Sequence, residues 1–190
     1  MDRRSLLKMV ATLTGAAVVG GDLFLSGCQS PDKKMTAFPL SQSTISLLDE
    51  IGETIIPATE TPGAKAAAVG AFMNTMVMDC YSQSEKEVFI KGIDQLNQES
   101  VQLFQHDFIA ATPDQRKELL IKLDKAAQSY QKDKKEDEPV HYFTLIKQLT
   151  LLGYFTSKPG ATQALRYLAI PQKYVGDIPY EKGEKAWATS

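Results

Sequence analysis

The sequence predicts an all-α fold: a compact bundle of about five helices, closed by a long irregular segment rich in aromatic residues. Three observations carry that prediction. Apolar residues recur at three- and four-residue spacing over five stretches between Ser43 and Leu152. Start and stop chemistry brackets these stretches, with serine, threonine and proline at their beginnings and proline or glycine beyond their ends. No stretch alternates with period two for long enough to make a strand.

The first helix spans Ser43 to Ile56. Ser41 or Ser43 can cap it, and Ile45, Leu48, Ile51, Ile55 and Ile56 fall on one face. Pro57 ends it, and Thr61-Pro62-Gly63 makes a turn. A second helix is expected over residues 64–79, with Ala66, Val69, Phe72, Met73, Met76, Val77 and Cys80 as its stripe. Methionines at this spacing read as core filler rather than as metal ligands. Ser82 and Glu85 form a capping box that starts a third helix near Gln83, with Val88, Phe89, Ile93 and Leu96 inward and the pattern fading towards Phe104 and Phe108. Thr112-Pro113-Asp114-Gln115 opens a fourth, continued by Leu119, Leu120, Leu123, Ala126, Ala127 and Tyr130. The charge run Lys132 to Glu138 reads as a solvated loop. A fifth helix is expected from Pro139 to Leu152, with Phe143, Ile146, Leu149 and Leu152 inward and Gly153 as its stop.

From Gly153 the character changes. A short helical piece is expected over Thr162 to Tyr167, after which Pro171, Gly176, Pro179 and Gly183 forbid any long regular element. Tyr154, Phe155, Tyr167, Tyr174, Tyr180 and Trp187 make this stretch too aromatic to be a disordered tail. These side chains either pack back on their own bundle or anchor to another protein, since tyrosine and tryptophan dominate interface hot spots.

The N-terminus has the layout of a signal peptide: a charged start with Arg3, Arg4 and Lys8, a short apolar middle diluted by glycine and threonine, and small residues before Cys28. The paired arginines resemble a twin-arginine export signal, although Asp2 and Leu6 depart from the usual pattern; a general secretory signal is the alternative. Leu25-Ser26-Gly27-Cys28 resembles a lipobox, with Cys28 acylated as the first residue of the mature chain. The run is too short and polar for a transmembrane anchor. Gln29 after the cysteine points to the periplasmic side of the outer membrane. Residues 29–40, bracketed by Pro31 and Pro39, read as a tether. The expected organisation is therefore a signal peptide over 1–27, a lipidated tether over 28–40, a bundle over 41–152 and a wrapping segment over 153–190.

Composition narrows the function classes. The segment 1–27 carries three basic and two acidic residues, so its removal leaves 163 residues and takes the net charge from −2 to −3. That is enough chain for one domain with a core and a poor charge balance for binding nucleic acid. Cys80 is then the only other cysteine and reads as a buried small hydrophobe. His106 and His141 fall on different elements, neither with metal-ligand spacing to a second His, Cys or Glu. No phosphate-binding, nucleophile-elbow or haem-attachment motif occurs, and Glu50 with Glu53 reads as an ordinary pair of surface charges.

Three motifs in order do point somewhere. They are Leu48-Asp49-Glu50-Ile51-Gly52-Glu53-Thr54-Ile55-Ile56-Pro57 with Thr61-Pro62-Gly63-Ala64; Gly153-Tyr154-Phe155-Thr156-Ser157 with Gly160-Ala161; and Leu165-Arg166-Tyr167 with Ala186-Trp187. Together they resemble the gluconate 2-dehydrogenase subunit 3 family over about Ser43 to Ala188. The resemblance implies a small, non-catalytic subunit that binds no cofactor or metal itself. Its partner would be a large FAD-carrying flavoprotein that oxidises sugars or aldonic acids, with a cytochrome c receiving electrons. The small subunit would carry the export signal and help the large one mature. The lipobox departs from the simplest family pattern and implies that this member anchors its complex through its own lipid. The expected partner interface comprises Pro57, Thr61, Pro62 and Gly63 on the first turn. From the C-terminal part it comprises Tyr154, Phe155, Thr156, Ser157, Gly160, Arg166, Tyr167 and Trp187. A free-standing envelope lipoprotein with a structural or binding role is the rival reading.

Overall fold

The computed structural model describes residues 39–170, 173 and 175–188; Arg3, Arg4, Lys8 and Cys28 lie outside the described residues, as does Tyr174. Among the described residues, five α-helices form the bundle. Helix α1 (Gln42–Ile55) starts at Ser41, whose side chain accepts the Thr44 amide, and buries Leu47, Leu48, Ile51 and Gly52. A 3-10 helix (Ala64–Ala67) and α2 (Val69–Cys80) follow. Helix α3 is Gln83–Phe104, α4 is Pro113–Asp133 and α5 is Tyr142–Thr156, and a π-helical turn, Gly160–Ala164, comes last.

The two capping boxes form as their sequences require. Ser82 accepts from the Glu85 amide and Glu85 reaches back to the Ser82 amide at 2.9 Å; Thr112 and Gln115 do the same for α4, with Pro113 at the first helical position. Tyr130 leaves α4 half-buried and donates its hydroxyl to the Pro139 carbonyl at 2.9 Å, closing the charged loop.

Elsewhere the structure corrects the pattern. The stretch expected as one helix over 64–79 is broken at Ala68, which sits in the left-handed region at φ 51°. A small apolar residue gives no sequence signal of such a break. Ala66 is consequently exposed, and Cys80, in the last position of α2, lies past the core and is exposed rather than buried. The fifth helix starts at Tyr142, three residues later than expected, because His141 caps it: its Nδ1 accepts the Phe143 amide at 3.2 Å. It then runs through Gly153 to Thr156, so the boundary expected at 152/153 falls inside a helix. Glycine is required there for packing, since a Cβ at Gly153 would lie 2.6 Å from the Phe72 ring. The inward positions shift accordingly to Gly153 and Tyr154, leaving Leu152 exposed. The short helical piece expected over 162–167 lies at Gly160–Ala164 and is π-helical.

Helix α5 is the centre of the bundle and packs against each of the other four. Tyr142, Phe143, Leu145, Ile146, Leu149 and Tyr154 are buried on it along one broad face, while Gln148, Leu151, Leu152 and Phe155 on the other face are exposed. Its buried Thr150 satisfies its hydroxyl on the Ile146 carbonyl at 2.8 Å, and buried Ser100 of α3 donates to the His106 carbonyl at 3.0 Å. Burying a large apolar side chain contributes about 1.5–3 kcal/mol, against roughly 0–1 kcal/mol for a surface ion pair such as Lys122–Glu99. The core therefore sets the stability of the bundle.

Two predictions follow from this packing. Gly92 of α3 lies against Tyr142, leaving no room for a Cβ. Gly92→Ala gains helix propensity of about 1 kcal/mol but overpacks the crossing by roughly 1–3 kcal/mol. Thermal unfolding should accordingly show a net loss of stability, and an unchanged or higher midpoint would refute the close crossing. The second concerns His141. Burial, the largest cause, holds its imidazole below the ordinary value of 6.5, against a weaker upward pull from Glu99. The unfolded chain therefore binds the proton first as pH falls, and the stabilisation present above pH 6.5 is lost below it. Because the same nitrogen accepts the Phe143 amide, protonation also removes the cap. His141→Ser keeps a capping oxygen without the titration, so the fall in unfolding midpoint between pH 7.5 and pH 5 should be smaller in the variant.

Candidate docking surface

The residues expected at a partner interface fall on two features joined by the Tyr154–Pro62 hydrogen bond: the turn after α1, and the end of α5 with the segment beyond it. The turn is built by carboxylates of α1. Asp49 accepts the Gly70 amide at 2.7 Å, and Glu53 accepts the Ala58 and Lys65 amides, each at 2.8 Å. Gly70 and Lys65 hold the second position of α2 and of the 3-10 helix, whose own N-cap residues, Ala68 and Gly63, provide no side-chain acceptor. Two carboxylates one helical turn apart thus cap, from outside, the next two helices of the chain. The missing side chains at Gly63 and Gly70 make this possible: a Cβ at Gly63 would collide with the Glu53 carboxylate and one at Gly70 with the Ile45 carbonyl.

Glu50, between them, pairs with Lys65 and with Arg116 of α4 at 2.8 Å. The hydrogen bond from Lys65 lowers its pKa, burial opposes this, and the charges of Lys65 and Arg116 lower it further. Arg116 also donates to the carbonyls of Phe108 (2.9 Å) and Ile109, and its guanidinium lies over the Phe108 ring. Phe108 is fully buried although it lies outside any helix. One arginine thereby ties the α3–α4 loop to α1. None of Asp49, Glu50, Glu53 or Arg116 was marked as a site residue by the sequence. The signal for the first three is their spacing just before a turn whose amides have no local acceptor.

The turn's far side is held by α5. Tyr154 is 2 % exposed and donates its hydroxyl to the Pro62 carbonyl at 2.7 Å. Together with the Ala64 amide to the Ile56 carbonyl (2.9 Å) and Thr59 amide to the Thr61 carbonyl (3.0 Å), this leaves Pro57 to Glu60 as an exposed apex on a fixed base. Of the expected interface residues, Pro57 is exposed, Thr61 and Pro62 are half-buried, and Gly63 is buried. Tyr154 faces inward, and what it holds is the turn.

Ser157 and Gly160 are likewise structural. Ser157 donates to the Tyr154 carbonyl at 2.6 Å and accepts the Gly160 amide at 3.1 Å, and a Cβ on Gly160 would strike that same carbonyl. Phe155 and Thr156 face outward on the last turn of α5, beside exposed Leu151 and Leu152. Beyond the π turn, Arg166 and Trp187 form an isolated parallel bridge: the Arg166 amide donates to the Ala186 carbonyl and the Ala188 amide to the Arg166 carbonyl, both at 2.8 Å. The guanidinium lies 4.2 Å from the indole centroid and forks onto Glu184 at 3.0 and 3.4 Å. Gly183, at φ 93°, occupies the third position of the turn that returns Glu184 to Arg166. A partly exposed ion pair contributes about 0.2–1 kcal/mol and a surface cation–π contact about 0.5–1 kcal/mol. This clasp therefore holds a loop and contributes little to the bundle. Tyr167 stands exposed just outside it.

Among the described residues, no group of three His, Cys, Asp or Glu is placed to hold a metal ion, and no helix is long and apolar enough to cross a membrane. A groove of about 410 Å3 between the end of α1, α4 and α5 is floored by Ile55, Leu120 and Phe143 and rimmed by Lys117, Lys125 and Lys147. None of the expected interface residues lines it.

The sequence model of the family described as gluconate 2-dehydrogenase subunit 3 matches residues 42–171. The chain belongs to this family. The matched span opens on the first residue of α1 and takes in all five helices, the pinned turn and Arg166, so the family's fold is the bundle just described. Trp187, expected as part of the resemblance, lies outside it. No curated protein and no solved structure matches the chain.

If Glu53 caps the 3-10 helix, Glu53→Ala should speed hydrogen exchange at the Ala58 and Lys65 amides and cost about 1 kcal/mol, while exchange in α3 changes little. Equal acceleration throughout the bundle would instead make Glu53 a general stabilising residue and not the pin of this turn.

Proposed function

We propose that this chain is the non-catalytic small subunit of a flavin-dependent dehydrogenase acting on the CH–OH groups of sugars or aldonic acids. In this reading it binds the large flavoprotein, which carries FAD and passes electrons to a cytochrome c. The twin-arginine signal at Arg3, Arg4 and Lys8 takes both proteins across the membrane. The lipid on Cys28 then holds them on the periplasmic side of the envelope, at the outer membrane.

The observation that carries the reading is membership of the subunit 3 family. Two further features support it. The titratable residues at the turn are committed to holding backbone: Asp49 and Glu53 accept amides, and Glu50 is engaged by two cations. The turn apex and the α5 end, by contrast, present Pro57 and Phe155 to solvent on rigid supports. Such an arrangement suits binding another protein better than turning over a small molecule.

Purification of the tagged full-length chain from envelope extracts should recover a flavoprotein with the absorbance of bound flavin. Recovery of the chain alone would favour a free-standing lipoprotein. Changing Arg3 and Arg4 to Lys should leave both proteins in the cytoplasm; a partner that still reaches the periplasm would end the escort part of the reading.

A further inference from the structure

The clasp between Arg166 and Trp187 brings together the two ends of a segment whose described apolar side chains point outward. Tyr167, Leu168, Val175 and Ile178 are about half exposed, Ile170 is 76 % exposed and Tyr180 79 %. Trp187, at the base, is itself 44 % exposed while stacked on Arg166. At on the order of 100 Å2 apiece for half-exposed large side chains, these seven offer about 700 Å2 of apolar surface. Gathered against one partner, that area approaches the 800 Å2 or so that each side contributes to a stable interface.

The charge pattern narrows the occupant. The described charged residues of the segment are Lys173, Asp177, Glu181, Lys182, Glu184 and Lys185, three of each sign, with Glu184 taken up by Arg166 and Lys185 bonded to the Gln163 carbonyl. A surface built to lie on anionic lipid carries an excess of lysine and arginine and is usually an amphipathic helix. With Arg166 included, the described residues carry four cations against three carboxylates, close to balance, and the segment is irregular. It fits a protein surface, apolar at its centre and with charges of both signs at its rim.

We propose that this clasped segment is the principal docking element of the chain and seats in an apolar cleft of the dehydrogenase subunit. Arg166, Glu184 and Trp187 act as positioning residues that keep the segment in its docking shape before contact. The proposal rests on the accessory-subunit reading above. Holding the two ends together removes part of the ordering cost that a free tail of this length would meet on binding. The segment also begins where the Gly160 turn folds back over the α5 end, so it springs from the rigid part of the bundle.

The test uses the full-length chain co-expressed with the flavoprotein it recovers, and three forms of it: wild type, Ile170→Asp with Tyr180→Asp, and Arg166→Met. The two residues of the double variant are the most exposed apolar side chains among the described residues of the segment, so its thermal midpoint should match wild type while affinity for the purified flavoprotein falls at least 100-fold. Arg166→Met should weaken binding about tenfold and, in the free chain, speed proteolysis between residues 167 and 186 without lowering the bundle's midpoint. A double variant that binds like wild type overturns the proposal, and so does an Arg166→Met chain with unaltered proteolysis and affinity. If wild type is a dimer that the double variant splits, with flavoprotein binding intact, the segment's occupant is a second copy and the proposal fails. Loss of binding to phosphatidylglycerol vesicles alone would assign it to lipid and refute it equally. Should wild type recover no flavoprotein at all, the accessory-subunit reading itself is what falls.

Discussion

The structure depends on a debt of backbone hydrogen bonds settled at a distance. After α1 the chain must turn, make a short 3-10 helix and start α2, and each helix start leaves amides without intrahelical acceptors. Gly63 and Ala68 stand where a serine or aspartate would normally cap. Asp49 and Glu53, already fixed on α1, supply the acceptors instead. That choice has consequences. It requires glycine at 63 and 70, draws α2 against α1, and holds Ala68 in a left-handed conformation that costs alanine roughly 1–2 kcal/mol. Glu50 extends the same helix face to Arg116 and so to the α3–α4 loop. Three carboxylates that look like solubility charges thus organise the turn after α1 and, through Arg116, the α3–α4 loop.

Helix α5 completes what α1 begins. It is buried along most of its length, and its C-terminal Tyr154 reaches the Pro62 carbonyl from within the core. The turn is therefore clamped on both sides, by Glu53 from α1 and by Tyr154 from α5. The same residue's carbonyl accepts Ser157 and is covered by Gly160, which sets the direction in which the chain leaves the bundle. Tyr154 thus touches both presented features, the turn through its hydroxyl and the exit from α5 through its backbone carbonyl.

How far the sequence could be read follows from the range of each interaction. The capping boxes at Ser82–Glu85 and Thr112–Gln115 are complete within four residues, and both starts were legible to the residue. The stripes of α3 and α4 were legible because one face of each meets the core. Asp49 capping Gly70, twenty-one residues on, was not, since nothing local marks which carboxylate will meet which amide. Gly153 misled because a glycine after an apolar stripe signals a helix end as readily as a close contact; only the position of Phe72, on another helix, decides between them. Cys80 misled because an apolar stripe says nothing about where the core stops. The Arg166–Trp187 bridge joins residues far apart in an irregular segment, with no periodicity to reveal it.

The bundle and the clasped segment carry different demands on rigidity, and the proposed accessory-subunit reading makes sense of the difference. A protein that crosses a membrane folded, with another protein attached, must complete its fold beforehand. The bundle is largely suited to that: its helix starts are capped by its own residues, and buried Ser100 and Thr150 find partners within it, although the Tyr142 hydroxyl is buried without one. The clasped segment is of the opposite kind, held by contacts that are individually weak and carrying apolar side chains whose burial is incomplete in the free chain. Surface of that kind is costly to leave in water, since each square ångström of apolar area withdrawn contributes roughly 25 cal/mol. A fold that buries Tyr154 to 2 % yet leaves Tyr180 at 79 % has the means to cover such side chains and does not use them here. On the proposed reading their cover comes from a second protein, and the clasp holds the segment in place until it arrives.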